Sequence, residues 1–181
     1  MHPQFREAKT TQAARLLLSL RDGRMSYMKL IKLLYLADRE ALLRWGRPIT
    51  FDTYVSMDRG PVLSHTFDLV TDGPRPGEES LWRACISPPD NYEVGLVGEC
   101  GTDQLSEAEV GVLEEVFEEF GRRTRWELVD YAHTLPEWTD PHGSAVPITY
   151  RDILVAGGKT EAEAAEIENE LEEIAVLDAV L

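Results

Sequence analysis

Cysteine is scarce in this chain. Cys85 and Cys100 are the only two, and they lack C-x-x-C spacing. That excludes a disulfide framework and leaves a cytosolic protein with reduced thiols as the simplest reading. No apolar run approaches the roughly 18–20 residues that a membrane span needs. The start, Met1-His-Pro-Gln-Phe-Arg-Glu7, has no apolar h-region, so no secretion signal is expected. Phosphate loops are missing too: neither G-x-x-x-x-G-K-[ST] nor G-x-G-x-x-G occurs, and there is no G-x-S-x-G nucleophile elbow. The histidines, His2, His65, His133 and His142, fall in no H-E-x-x-H or H-x-x-x-H spacing. A zinc site could be assembled only by folding them onto the cysteines, and structural cysteines with ordinary histidines are the favoured reading. Nothing in these absences points to an enzyme, a metal or a cofactor.

Cations are also in short supply. Thirty-three acids stand against 18 Lys and Arg, a net charge of −15 over 181 residues. So acidic a chain repels the phosphate backbone, which makes nucleic acid an unfavourable partner. It favours and steers basic protein partners, although a solvated acidic surface that maintains solubility explains the same number. Hydrophobic residues at 43% and charged residues at 28% are ordinary for a soluble globular domain, and the length is enough to bury a core.

What the chain does have is a helix that is apolar almost all round. In Tyr27-Met-Lys-Leu-Ile-Lys-Leu-Leu-Tyr-Leu-Ala-Asp38, positions Tyr27, Leu30, Ile31 and Leu34 make one face, and Leu33 and Leu36 extend it to a second side. Such a helix belongs in the middle of a core, with Leu30, Ile31, Leu34 and Tyr35 buried. Before it, residues 5 to about 20 read as an amphipathic helix with Ala13, Leu16, Leu17 and Leu20 on one face, ended by Asp22-Gly23. Ser26 is placed to cap the central helix. Residues 51–57 alternate as a strand does, with a short helical piece as the alternative in so few residues. Pro61 suits the first turn of a helix running to about residue 70, with Val62, Leu63, Phe67 and Val70 apolar. Residues 71–80 are a loop by composition, and the runs 82–86 and 92–97, separated by Pro88-Pro89-Asp90-Asn91, suggest a small β-hairpin.

The second half is helical and well punctuated. Ser106-Glu-Ala-Glu109, Thr124-Arg-Trp-Glu127 and Thr160-Glu-Ala-Glu163 are capping boxes. The first opens a helix with the stripe Val110, Leu113, Val116, Phe117 and Phe120; the second must stop before Pro136. Thr149 can cap a short helix that ends at Gly157-Gly158. The third opens the final helix, striped by Ala164, Ile167, Leu171, Ile174 and Leu181. Residues 160–181 carry Glu161, Glu163, Glu166, Glu168, Glu170, Glu172, Glu173 and Asp178 and no Lys or Arg, more than half of the net −15. Like charges at i, i+4, such as Glu166 and Glu170, cost a few tenths of a kcal/mol each. Either the acids lie in water on a docked helix, or Glu163, Glu166, Glu170 and Glu173 on its polar face meet a basic partner.

Two further clusters carry alternatives. Tyr54, Asp58 and Arg59 lie on or beside a strand edge and the Gly60-Pro61 turn, where exposed aromatic and Arg groups are the usual binding hot spots. Equally, Tyr54 packs and Asp58 caps a helix starting at Pro61. His133, in His133-Thr-Leu-Pro-Glu-Trp138, is read as packing at a helix end and complementing its dipole rather than as a general base. Arg122-Arg-Thr-Arg125-Trp126 is the only basic-aromatic cluster; its arginines are read as answering a helix C-terminus more than phosphate.

The ordered set Lys32-Leu-Leu-Tyr-Leu-Ala-Asp38, Gly46-Arg-Pro-Ile49, Tyr54 with Gly60-Pro61-Val62, Leu105-Ser106, Trp126-Glu-Leu128 to His133 and Pro136-Glu-Trp138 resembles the Panacea domain, the SocA-like antitoxin domain of bacterial and phage toxin–antitoxin pairs. The resemblance spans nearly the whole chain. It implies an antitoxin that binds and neutralises a protein toxin encoded beside it, by direct blocking or by delivery to a protease. The competing classes are an operon-linked transcriptional regulator of prophage origin and a metal-dependent enzyme. The expected architecture is mainly α (α+β): one helical domain over residues 1–181 with a small β-hairpin and an acidic C-terminal helix at 160–181. The expected site is partner-binding, at Tyr54, Asp58, Arg59, Glu163, Glu166, Glu170 and Glu173, without catalytic or metal-binding residues and without a cofactor.

Overall fold

The helix with no polar face organises everything around it. In the computed structural model, which describes residues 2–181, it is α2 (Tyr27–Trp45), and every residue from 29 to 38 is buried. Leu30, Ile31, Leu34 and Tyr35 are at most 2% exposed, as the all-round apolar pattern requires. Helices α1 (Glu7–Leu20), α5 (Glu107–Phe120), α6 (Arg125–His133) and α7 (Tyr150–Ala156) pack around it. Leu34→Ala is expected to cost about 3 kcal/mol by leaving a cavity. Urea denaturation measures this; an unchanged midpoint would remove α2 from the centre of the core.

The sheets are short. Strand β1 (Arg24–Ser26) pairs antiparallel with β4 (Glu93–Gly95). A second sheet has the order β3 (Gly60–Leu63), β2 (Tyr54–Met57), β5 (Val146–Ile148), all antiparallel. Helices α3 (Ser64–Thr71), α4 (Leu81–Cys85) and α8 (Glu161–Val180) complete the fold, which is mainly α with small sheets. The Ser106, Thr124 and Thr160 capping boxes form with both hydrogen bonds, and Thr149 with Asp152 makes a fourth.

Several expectations are corrected. Pro61 does not open a helix: it lies opposite Ser56 on an edge strand, where its missing N–H costs no ladder bond, and α3 begins only at Ser64. The run 82–86 is no hairpin arm. Ser80 caps it into α4, and its would-be partner strand β4 pairs with β1 instead, leaving one isolated bridge between Ile86 and Leu96. Ser26 precedes α2, but its hydroxyl makes no cap bond and is buried without a partner. On α1, Leu20 is 41% exposed while Ala14 and Leu18 are fully buried, because α4 and α5 cover a face rotated from the one expected. Val112 joins the buried stripe of α5, and Leu181 lies fully exposed beyond α8.

Helix α8 packs against α7 and touches the end of α2, where Gly46 closes α2 with φ 72°. A Cβ on Gly46 would stand 3.3 Å from Ile167 of α8, so both the left-handed turn and this close approach require glycine.

Candidate partner-binding site

Asp38 stands on α2, in the half of the core that faces the second sheet. The turn after Gly46 brings the chain back over it. Asp38 Oδ1 accepts from Ile49 N at 2.8 Å and Thr50 N at 3.0 Å, and Oδ2 accepts from the Thr50 hydroxyl at 2.5 Å and Tyr54 Oη at 2.8 Å. Complete burial pushes the carboxyl up to about 6, and these four donors hold it from rising further. Tyr54 therefore faces inward, 3% exposed, edge-on to Tyr35 and Tyr150. The place it was given among exposed contacts is corrected: the packing alternative holds, and its hydroxyl anchors β2 to α2.

Two further buried carboxylates tie loops to this frame. Glu137 accepts from Tyr35 Oη at 2.9 Å and Arg39 Nε at 2.6 Å, so the charge-assisted Arg39 pair answers its burial. Asp52 accepts from Thr53 N, from the N–H groups of His65 and Thr66 at 2.9 Å each, and from the Thr66 hydroxyl at 2.7 Å, which caps α3. Its bond to the His65 ring holds that imidazole above its usual range.

The anchored β2–β3 hairpin presents its turn, Asp58-Arg59, to solvent. Asp58 does not cap a helix. Its Oδ1 accepts from Gly143 N at 2.9 Å, and its backbone carbonyl lies 2.9 Å from His133 Nε2. His133 stacks on Trp138 at 4.1 Å, and Trp138 Nε1 donates to Met57 O at 2.9 Å. His133 thus has the packing role expected of it, with the hairpin rather than its own helix end as partner. Arg59 lies 5.2 Å over the ring of Trp126, which is 50% exposed and also carries Arg125 at 5.4 Å. Arg123 lies over Phe120 and Tyr131. None of Arg59, Arg122, Arg123 and Arg125 makes an ion pair among the described residues.

Between this turn and α2 runs a groove of about 280 Å³, walled by Tyr27, Met28, Ile31, Met57, Val62 and Phe67, with Lys32 at its base and Asp58 and Arg59 at its rim. Gly60 lies close against Lys32 and Ala132. A Cβ there would meet Ala132 at 3.0 Å and the Lys32 side chain at 3.1 Å, and φ is 106°.

The structure brings Asp58 and Arg59 to one site and leaves the acidic helix elsewhere, since no residue lining the groove comes from α8. Glu163, Glu166, Glu170 and Glu173 are all exposed on α8, and Glu163 also closes the Thr160 box. Part of the helix's charge is answered from outside it. Arg151 pairs with Glu161 and Glu168, and Arg6 pairs with Asp178 at 2.7 Å. Sequence reasoning missed Lys32, Asp38, Asp52 and Glu137. The signal for the first two was present: polar residues on a helix without a polar face have nowhere to go but inside. The thiols of Cys85 and Cys100 are free and buried, and burial next to Cys100 pushes the Cys85 thiol up to about 12. Among the described residues no helix is long and apolar enough to cross a membrane.

The described residues thus form a helical frame with an exposed hairpin turn and a groove beside it. The sequence model described as antitoxin SocA-like, Panacea domain, matches residues 30–139, and the chain belongs to that family. The matched stretch runs from α2 to just beyond Trp138. It is narrower than the resemblance suggested, leaving α1 and everything from β5 to α8 outside it. No curated protein and no solved structure matches the chain. Membership carries a general role in toxin–antitoxin systems.

Proposed function

We propose that this protein neutralises a cognate protein toxin, encoded beside it, by binding it through the groove and the Asp58-Arg59 turn. The carrying observation is Arg59, which lines the rim of a largely apolar groove and lies over the exposed Trp126 beside it. Trp and Arg dominate the energetics of protein interfaces, and here Arg59 of the hairpin turn, free of ion pairs among the described residues, lies over Trp126 of α6. Binding either blocks the toxin directly or hands it to a protease; the chain itself catalyses nothing and works in the cytoplasm. Co-expression with the neighbouring toxin tests this. Wild type should restore growth, and a folded Arg59→Ala/Trp126→Ala variant should lose most of the rescue. Full rescue by that variant moves the contact elsewhere.

Helix α8 is read as an addition to the shared domain that speeds encounter with a basic toxin. Replacing Glu163, Glu166, Glu170 and Glu173 by Gln should slow association and flatten its salt dependence, because steering is screened over a Debye length of roughly 8–10 Å. The free protein's stability should hold or rise slightly, as like-charge repulsion is relieved and Gln can still serve the Thr160 box. Stopped-flow association rates at two salt concentrations check this. Unchanged rates would leave α8 as a docked helix with a solvated face.

A further inference from the structure

Lys32 at the base of the groove is a charge that the fold leaves largely unanswered. The residue is 3% exposed. Its Nζ has one acceptor among the described residues, the Pro61 carbonyl at 2.8 Å. An ammonium has three N–H donors, so two have no acceptor among the described residues, and the residue lines the groove. The rim carboxylate of Asp58 is turned to the Gly143 amide, and Arg59 is a second cation at the mouth. The walls between them are apolar, chiefly Met28, Ile31, Val62 and Phe67. In a chain of net −15, the site is therefore a local inversion: a cation at the bottom of an apolar slot with a cation above it.

We infer that the groove takes a segment of the partner protein in which an Asp or Glu side chain stands beside a large apolar residue. The carboxylate accepts from Lys32 Nζ, and the apolar neighbour fills the slot against Ile31 and Phe67. Charge complementarity selects the occupant. A buried ammonium with open donors is satisfied by a carboxylate, and the surrounding apolar walls return little to a fully hydrated polar chain. A toxin that is basic overall can still present such a residue, because the net field governs approach while the anchor is decided at contact. Lys32 is costly to bury, and the free fold draws only one hydrogen bond from it; a partner carboxylate supplies what is missing. The inference rests on the reading of this protein as one that binds a protein toxin.

The probe is a random heptapeptide display library selected on the whole folded protein, with Lys32→Met as the counterpart. Met keeps the unbranched chain to within one atom and removes the charge, so the variant should fold, which circular dichroism checks. Enriched peptides should share an Asp or Glu next to a large apolar residue. Their synthetic versions should bind wild type about 10-fold or more tighter than Lys32→Met. Changing the peptide's acid to its amide should lose the same factor on wild type and almost nothing on Lys32→Met. Enrichment without an acidic position, binding that depends on a free peptide C-terminus, equal binding to Lys32→Met, or no enrichment at all overturns the inference. Growth rescue separates the two readings. If wild type rescues and folded Lys32→Met rescues equally, the anchor fails and the antitoxin reading stands; if wild type fails to rescue, both fall.

Discussion

Asp38→Ala is expected to leave the protein largely unfolded at physiological temperature. The substitution removes one carboxylate and strands four donors: the Ile49 and Thr50 amides, the Thr50 hydroxyl and Tyr54 Oη. A buried donor left without an acceptor costs about 1–3 kcal/mol, so the sum reaches roughly 4 kcal/mol or more even if a water enters. That is a large share of the 5–15 kcal/mol available to a typical domain. The loss is also topological, since these bonds return the chain after α2 to the core and orient Tyr54, on which the second sheet is built. Asp38→Asn should cost roughly half as much, because an amide oxygen still accepts while its NH2 meets donors. The pH dependence gives an independent check. The folded carboxyl is raised to about 6 from 3.8, so between those values the folded state binds the proton more tightly than the unfolded chain. Its share of the stability is therefore present below about pH 4 and is lost as pH rises through 6. Asp38→Asn should lack that slope in urea titrations from pH 4 to 6.5. If Asp38→Ala unfolds at the same urea concentration as wild type, the carboxylate is not the anchor of the turn and sheet.

The elements that sequence reasoning placed well are those with a local cause. The capping boxes at Ser106, Thr124 and Thr160 depend on residues three apart, and each forms as the pattern states. The burial of Leu30, Ile31 and Leu34 follows from a helix with no polar side. What failed was decided by partners distant in sequence. Whether Pro61 begins a helix or ends on an edge strand depends on β2 already lying opposite it. Residues 93–95 become a strand because residues 24–26 offer an edge, a pairing that no hairpin signal announces. Strand β5 exists for the same reason, beside β2.

The site divided along the same line. The exposure of Asp58 and Arg59 was legible because a Gly-Pro turn exposes its neighbours whatever lies beneath. Tyr54 was misplaced among them because alternation alone does not say which side of a strand faces the core; Asp38, sixteen residues earlier, settles it with one hydrogen bond. Lys32 was visible only as a polar residue in an apolar helix. That it lines a groove depends on Pro61 and Val62 of β3 and Phe67 of α3, the first bonding its ammonium and the other two walling the groove.

Lys32→Met should stabilise the free protein, and by an amount that depends on pH. Burial alone lowers the folded ammonium from 10.5 to about 7; Asp58 lines the same groove without offsetting the desolvation, and Arg59 in the groove and Lys29 one turn earlier on α2 carry the same sign of charge as Lys32. Below pH 7 both folded and unfolded chains hold the proton, and the folded state carries the full penalty of a buried charge. At about 1.4 kcal/mol for each unit, that penalty is on the order of 5 kcal/mol. Between pH 7 and 10.5 the unfolded chain binds more protons than the folded one, so this group makes wild type more stable as pH rises. Met cannot be charged and fills the same space, so the variant should exceed wild type by several kcal/mol at pH 6, with the gap closing toward pH 9–10. Lys29, lowered by burial and by Arg21, contributes a slope of the same sign to both proteins. Tyr54 and Cys85, both raised, contribute slopes of opposite sign at alkaline pH. The difference between variant and wild type cancels all three, and urea denaturation of the pair at pH 6, 7.5 and 9 reads it. A variant less stable than wild type at every pH would make Lys32 a structural strut held by Pro61. A gain that shrinks with pH marks a residue whose burial burdens the free fold, which is what a group kept for its partner should do.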